Sequence, residues 1–143
     1  MPHRTAEALW TGTLTDGSGT MTLGSGVLRA AAYSRKGRFE EDGGTTPEEL
    51  IAAAHAGCFT MAFSGELSRA GFTPTRLHTS AKVDMRRDDS GVRISEIHLE
   101  TEGEVPGIDA AKFQELAENA RKGCPVSKAL AAVETISLTA TLK

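Results

Sequence analysis

Apolar residues fall on alternate positions at the start of the chain, at Ala6, Ala8, Trp10 and Leu14. The alternation resumes at Met21 and Leu23 after a Gly17-Ser18-Gly19 turn, and Val27-Leu28 open a third run. A period of two marks a strand with one covered face, so short strands are predicted over residues 1–33. From Ser34 to Thr46 the pattern gives way to a charged loop with Arg35, Lys36, Arg38, Glu40, Glu41 and Asp42. Thr46-Pro47-Glu48-Glu49 then reads as a helix start. Threonine is the N-cap, proline takes the first helical position, and two carboxylates face the positive end of the helix dipole. This helix is predicted to run to about Ala70 and to stop at Gly71. Between Glu49 and Glu66 it holds no Asp, Glu, Lys or Arg, and apolar or small residues occupy its whole circumference, so burial on every side is predicted.

Two longer strands follow, Thr75 to Arg87 and Val92 to Glu104, joined by Asp88-Asp89-Ser90-Gly91. Ile94 lies on one parity and Ile97 and Leu99 on the other, which predicts a bulge near Ser95-Glu96. A second helix is predicted after Pro106-Gly107, with Asp109 as N-cap, an Ile108–Phe113 staple and an end at Gly123. A short helix to about Ala131 and a last alternating strand, Ile136, Leu138, Ala140 and Leu142, complete an α+β fold of antiparallel strands and two main helices. One thin sheet cannot cover a central helix that is apolar all round. A second copy of the chain is expected to cover the rest, giving an intertwined homodimer with a large apolar interface.

Composition adds exclusions more than assignments. At 143 residues the chain is expected to form a single domain over 1–143, long enough to build a core without disulfides. A net charge of -3 with both signs interspersed supplies no basic stripe for nucleic acid or a membrane surface. MPHRTAEALW is not the apolar run of a secretory signal, and no stretch reaches the roughly 20 apolar residues of a bilayer span. A cytoplasmic location is therefore expected, where thiols stay reduced. The two cysteines then read as packing or redox residues rather than a disulfide framework.

Cys58 lies inside the long apolar helix. It is either a small buried hydrophobe or a thiol whose ionisation needs a cation brought to it, because apolar surroundings raise a thiol pKa. Cys124 precedes Pro125, which forces it out of helical backbone and makes it an N-cap, where the helix end lowers a thiol pKa. Local physics thus favours Cys124 as the more reactive thiol. His55 and Cys58, three residues apart on one helix face, form the nucleus of a possible metal site. Only Cys124, His3, His78 and His98 could complete it, without any paired C-x-x-C.

The stretches RFE (38–40), TTPEELIAAAHAGCFTMA (45–62), AGFTPT (70–75), VPGID (105–109) and KGCPVSKAL (122–130) resemble the osmotically inducible protein C family, within the OsmC and organic hydroperoxide resistance superfamily. The resemblance runs from about Trp10 to the C-terminus, and the PEEL-to-Cys segment together with GCPVS carries it. It implies a thiol peroxidase that reduces organic hydroperoxides, and hydrogen peroxide less efficiently, without metal, haem or flavin. Cys58 would attack the O–O bond and become a sulfenic acid, and Cys124 would resolve it into a disulfide. A dithiol, lipoyl-linked in some relatives, would restore both. Arg38 would hold the thiolate and the peroxide oxygens, and Glu48 would fix Arg38 by a bidentate pair. A thiol-based redox sensor and a noncatalytic lipid- or acyl-binding dimer are the alternatives.

Helix geometry adds one expectation. Glu48 and Cys58 are ten residues apart on one helix, roughly 15 Å along its axis at about 1.5 Å per residue. A glutamate cannot span that distance. Two such helices packed antiparallel about a dyad would bring the start of one to the middle of the other. Each site is then expected to take Cys58 and Cys124 from one subunit and Arg38 and Glu48 from its partner.

Overall fold

A computed structural model of the chain describes residues 1–40 and 43–143. Glu41 and Asp42 of the predicted charged loop lie outside the described residues. The chain's own contacts gather it into two compact units, Met1–Leu50 and Ile51–Lys143.

The first unit holds β1 (Ala6–Thr11), β2 (Ser18–Leu23) and β3 (Ala31–Tyr33) in one antiparallel sheet of order β1-β2-β3. Trp10 and Tyr33 meet at a tilt of 58°, ring centroids 5.4 Å apart, beside Gly19. A Cβ on Gly19 would sit 2.5 Å from the Tyr33 ring, so the strand carries glycine there. Three details differ from the periodicity. Gly19 belongs to β2 and not to the preceding turn, and Leu14 lies in that turn, 69% exposed. The third strand begins at Ala31, because Val27-Leu28 form a tight return in which the Leu23 N–H donates to the Leu28 carbonyl. The charged loop also contains a five-residue helix, α1 (Arg35–Phe39), whose N-cap Ser34 accepts from the Gly37 N–H at 2.9 Å.

The helix α2 (Pro47–Arg69) starts as predicted: the Thr46 hydroxyl accepts from the Glu49 N–H at 3.1 Å. It ends at Gly71, whose φ of +87° suits glycine, with the Phe72 N–H donating back to the Leu67 carbonyl. Burial on every side is the expectation for an assembly with a second copy, not for one chain. Within the chain only the ridge His55, Phe59, Phe63 and Leu67 is buried, while Ala53, Ala54, Gly57 and Met61 face outward. The periodic signal is weak because the outward face is itself apolar or small. With 23 residues, α2 is also long and apolar enough by length and composition to cross a membrane, as the core helix of a soluble protein can be. Its ridge is nevertheless part of a protein core.

That core belongs to the second unit. β4 (Arg76–Asp88) and β5 (Gly91–Glu104) pair antiparallel, and the register skips Ser95, the predicted bulge. The skip lets Ile97 and Leu99 join the buried face. After α3 (Ala110–Gly123) and α4 (Pro125–Ala129), β6 (Thr135–Leu142) pairs parallel to β5, in the order β4-β5-β6. The expectation of purely antiparallel strands is corrected here. Residues 105–134 form a helical crossover, and such a connection returns a strand in the same direction. Asp109 caps α3 by accepting from the Lys112 N–H at 2.8 Å. Phe113, Leu116, Ala117 and Ala120 face the core at helical spacing. Phe113 meets Phe63 edge-on with centroids 5.1 Å apart and lies over Gly103, where a Cβ would come within 2.6 Å of its ring.

Truncating Phe63 removes the centre of this aromatic contact. Phe63→Ala should cost about 3–5 kcal/mol, read as a lower denaturant midpoint with an unchanged slope.

Candidate functional site

Cys58 lies near the middle of α2, beside the fully buried Phe59 and itself half-buried. Cys124 is the junction of α3 and α4. Its N–H donates to the Ala120 carbonyl at 2.8 Å, and its own carbonyl accepts from the Lys128 N–H at 3.1 Å. Pro125, with no N–H to satisfy, takes the first position of α4 and holds Cys124 at φ -57°, ψ 124°. Cys124 is therefore the N-cap in backbone terms, although its thiol closes no cap hydrogen bond. The side chain is fully buried.

The two thiols are close enough to shift each other's ionisation. Burial pushes the Cys58 thiol up, and a proton shared toward Cys124 pushes it further, against the Val126 N–H that faces it. Burial also pushes Cys124 up. The influence of the Cys58 thiol, the Ser127 N–H and hydroxyl, and the Val126 N–H outweighs burial and lowers it from the usual thiol value. Within one chain, then, the two thiols are displaced in opposite directions, Cys58 up and Cys124 down.

His55 is placed otherwise than a metal site requires. Its Nε2 lies 2.7 Å from Ser127 Oγ, both residues are buried, and burial pushes the imidazole below its ordinary pKa. Among the described residues no group of three His, Cys, Asp or Glu is placed to hold a metal ion. Ser127 has no signal in the sequence beyond its place one turn after Cys124, the mirror of His55 one turn before Cys58. Those two spacings are the only hint that the four side chains meet.

Arg38 and Glu48 meet in the first unit. Arg38 on α1 donates from Nη2 to Glu48 Oε1 at 2.9 Å, with the carboxylate largely covered and the guanidinium half-exposed. The pair is single-pronged where a bidentate one was expected, and Glu48 Oε2 is buried without a partner. The first turn of α2 and the short α1 hold the two charges together, and one carboxylate oxygen stays free to accept a further donor.

These elements make an α+β protein with a paired-thiol site. Residues 40–139 match the family model described as OsmC-like protein, and the chain belongs to that family. It is 47% identical over 134 residues to Peroxiredoxin OsmC of Escherichia coli (strain K12), covering 94% of each chain. It is 33% identical over 102 residues to the organic hydroperoxide resistance protein of Xanthomonas axonopodis pv. citri (strain 306), covering 67% of this chain and 66% of that one. The crystal structure of the organic hydroperoxide resistance protein OhrB of Bacillus subtilis superposes with a TM-score of 0.72 at 27% identity, covering 97% of this chain and 98% of that one.

Thiols this close should close on each other. One equivalent of diamide should remove two hydrogens from a single chain, and peptide mapping should find Cys58 linked to Cys124. A product linking two chains would contradict the geometry.

Proposed function

We propose that the protein is a cysteine-based peroxidase that reduces organic hydroperoxides, and hydrogen peroxide less efficiently, to alcohols and water at the expense of a dithiol. The observation that carries this reading is the facing of Cys58 and Cys124 across two elements, one thiol half-exposed and the other buried at a helix start. The names of the relatives, a peroxiredoxin and organic hydroperoxide resistance proteins, agree with it. We read 1–143 as a single OsmC-like domain, acting in the cytoplasm in defence against oxidative or osmotic stress, with a lipoylated protein as the fitting dithiol donor.

In the proposed cycle the Cys58 thiolate attacks the distal peroxide oxygen. The O–O bond breaks, the alkoxide leaves as the alcohol after taking a proton, and Cys58 becomes a sulfenic acid. Cys124 then attacks the Cys58 sulfur, water leaves, and a disulfide forms. The dithiol returns two electrons and two protons. The first step needs Cys58 ionised, yet burial pushes its thiol up. A fixed guanidinium is the group that reverses this, since it stays charged and also donates to peroxide oxygens.

We assign that role to Arg38 of the partner subunit, held by the partner subunit's Glu48. The helix rise between Glu48 and Cys58 supports the assignment. So does the outward apolar face of α2, with Met61 78% exposed, which a second copy would cover. Two sites per homodimer follow.

Purified protein should consume cumene hydroperoxide with dihydrolipoamide, and Cys58→Ser should abolish the reaction. Equal rates with and without Cys58 would sink the peroxidase reading. Cys58→Ser and Arg38→Ala proteins, each inactive, should regain activity when mixed under conditions that exchange subunits, approaching half of wild type per heterodimer. Continued inactivity despite demonstrated exchange would place the whole site within one chain.

A further inference from the structure

His55 is the buried titratable group that the proposed cycle does not use. It is the first member of the i, i+4 ridge that continues through Phe59, Phe63 and Leu67, so its ring is fixed by the packing of the helix. Its Nε2 contacts Ser127 Oγ at 2.7 Å, and its Nδ1 is buried without a partner. A neutral imidazole has one N–H and one lone pair, and the hydrogen bond it makes decides which nitrogen holds the proton. With the proton on Nδ1, a donor would be stranded in the core, and the Ser127 hydroxyl would be spent on Nε2. With the proton on Nε2, only a lone pair is stranded, and the Ser127 O–H is free to point elsewhere. Ser127 stands in the first turn of α4, three residues after its N-cap Cys124, among the groups that favour the Cys124 thiolate.

We propose that His55 is a positioning residue for the resolving step: its Nε2–H holds the Ser127 hydroxyl so that the O–H donates to the Cys124 sulfur and readies it to attack the Cys58 sulfenic acid. This rests on the peroxidase reading above. In the step, the Cys124–Cys58 S–S bond forms and the Cys58 S–O bond breaks. The departing hydroxide leaves as water with the proton that Cys124 gave up. Cys124 is oxidised and the Cys58 sulfur reduced to the disulfide level, so no further oxidant is needed.

Single-turnover experiments with one equivalent of cumene hydroperoxide separate the two steps. Loss of the free Cys58 thiol reports the first, and disulfide formation, with dimedone trapping of the lingering sulfenic acid, reports the second. His55→Phe keeps the ring volume without the N–H, and Ser127→Ala removes the hydroxyl. Each should leave the first step unchanged and slow disulfide formation about tenfold or more, as expected for losing a hydrogen bond to a charged group. The double variant should be no slower than either single one, because the pair acts as a unit. His55→Gln, which offers an amide N–H in place of Nε2–H, should recover much of the rate. Unchanged disulfide formation in Ser127→Ala overturns the proposal, even if His55→Phe does not fold. Parallel slowing of both steps also overturns it, as does an additive double variant, since either is the behaviour of a packing defect. A wild-type protein whose Cys58 ignores peroxide overturns the peroxidase reading and this inference with it. A wild type with both steps intact beside unaffected variants overturns the inference alone.

Discussion

The ridge His55, Phe59, Phe63 and Leu67 is the contact on which the second unit depends. Each residue is one turn beyond the last, so a single line of side chains presses along the helix into the face made by Leu99, Phe113 and Ala117. Three members are apolar and fix the helix by burial. The fourth, His55, continues the same line in a polar form and ends on Ser127. Fixing the rotation of α2 about its axis also fixes the angle of Cys58, one residue before Phe59, toward the start of α4. The thiol geometry is thus a by-product of core packing, held by elements with little freedom to shift.

How far the fold can be read along the chain depends on whether its signal is local. Thr46-Pro47 and Asp109 declare helix starts because a cap is satisfied within three residues, and the Ser95 bulge shows as a change of parity within a single strand. The direction of β6 is not local: its alternation fits either orientation, and only the crossover through α3 and α4 decides it. The α1 helix is hidden among charges, since five residues carry too little periodicity to register. How much of α2 one chain buries is hidden for a related reason. A hydrophobic pattern records every surface a residue covers, in the chain or in an assembly, whereas burial in one chain records only the first.

The candidate site divides along the same line. Cys58, Cys124, Arg38 and Glu48 stand out through their motifs, and the structure puts the thiols together and the charges together. His55 and Ser127 do not stand out, because a lone histidine in an apolar helix and a serine after Cys-Pro-Val are unremarkable until 72 residues of chain fold to bring them into contact. The opposite displacements of the two thiols have equally plain causes. Cys58 has burial and few donors, while Cys124 is ringed by N–H and O–H groups at the opening of α4.

The two cysteines are 66 positions apart, on elements laid down at opposite ends of the second unit's sequence. A bond between them would close a long loop, and in the chain-entropy account a loop of that length removes about 4 kcal/mol of freedom from the unfolded chain. Each turnover would therefore stiffen and then relax the molecule. The form that has just met an oxidant would resist unfolding and proteolysis best, and the form waiting for one would be softer. Durability would then track exposure to peroxide without any separate sensor.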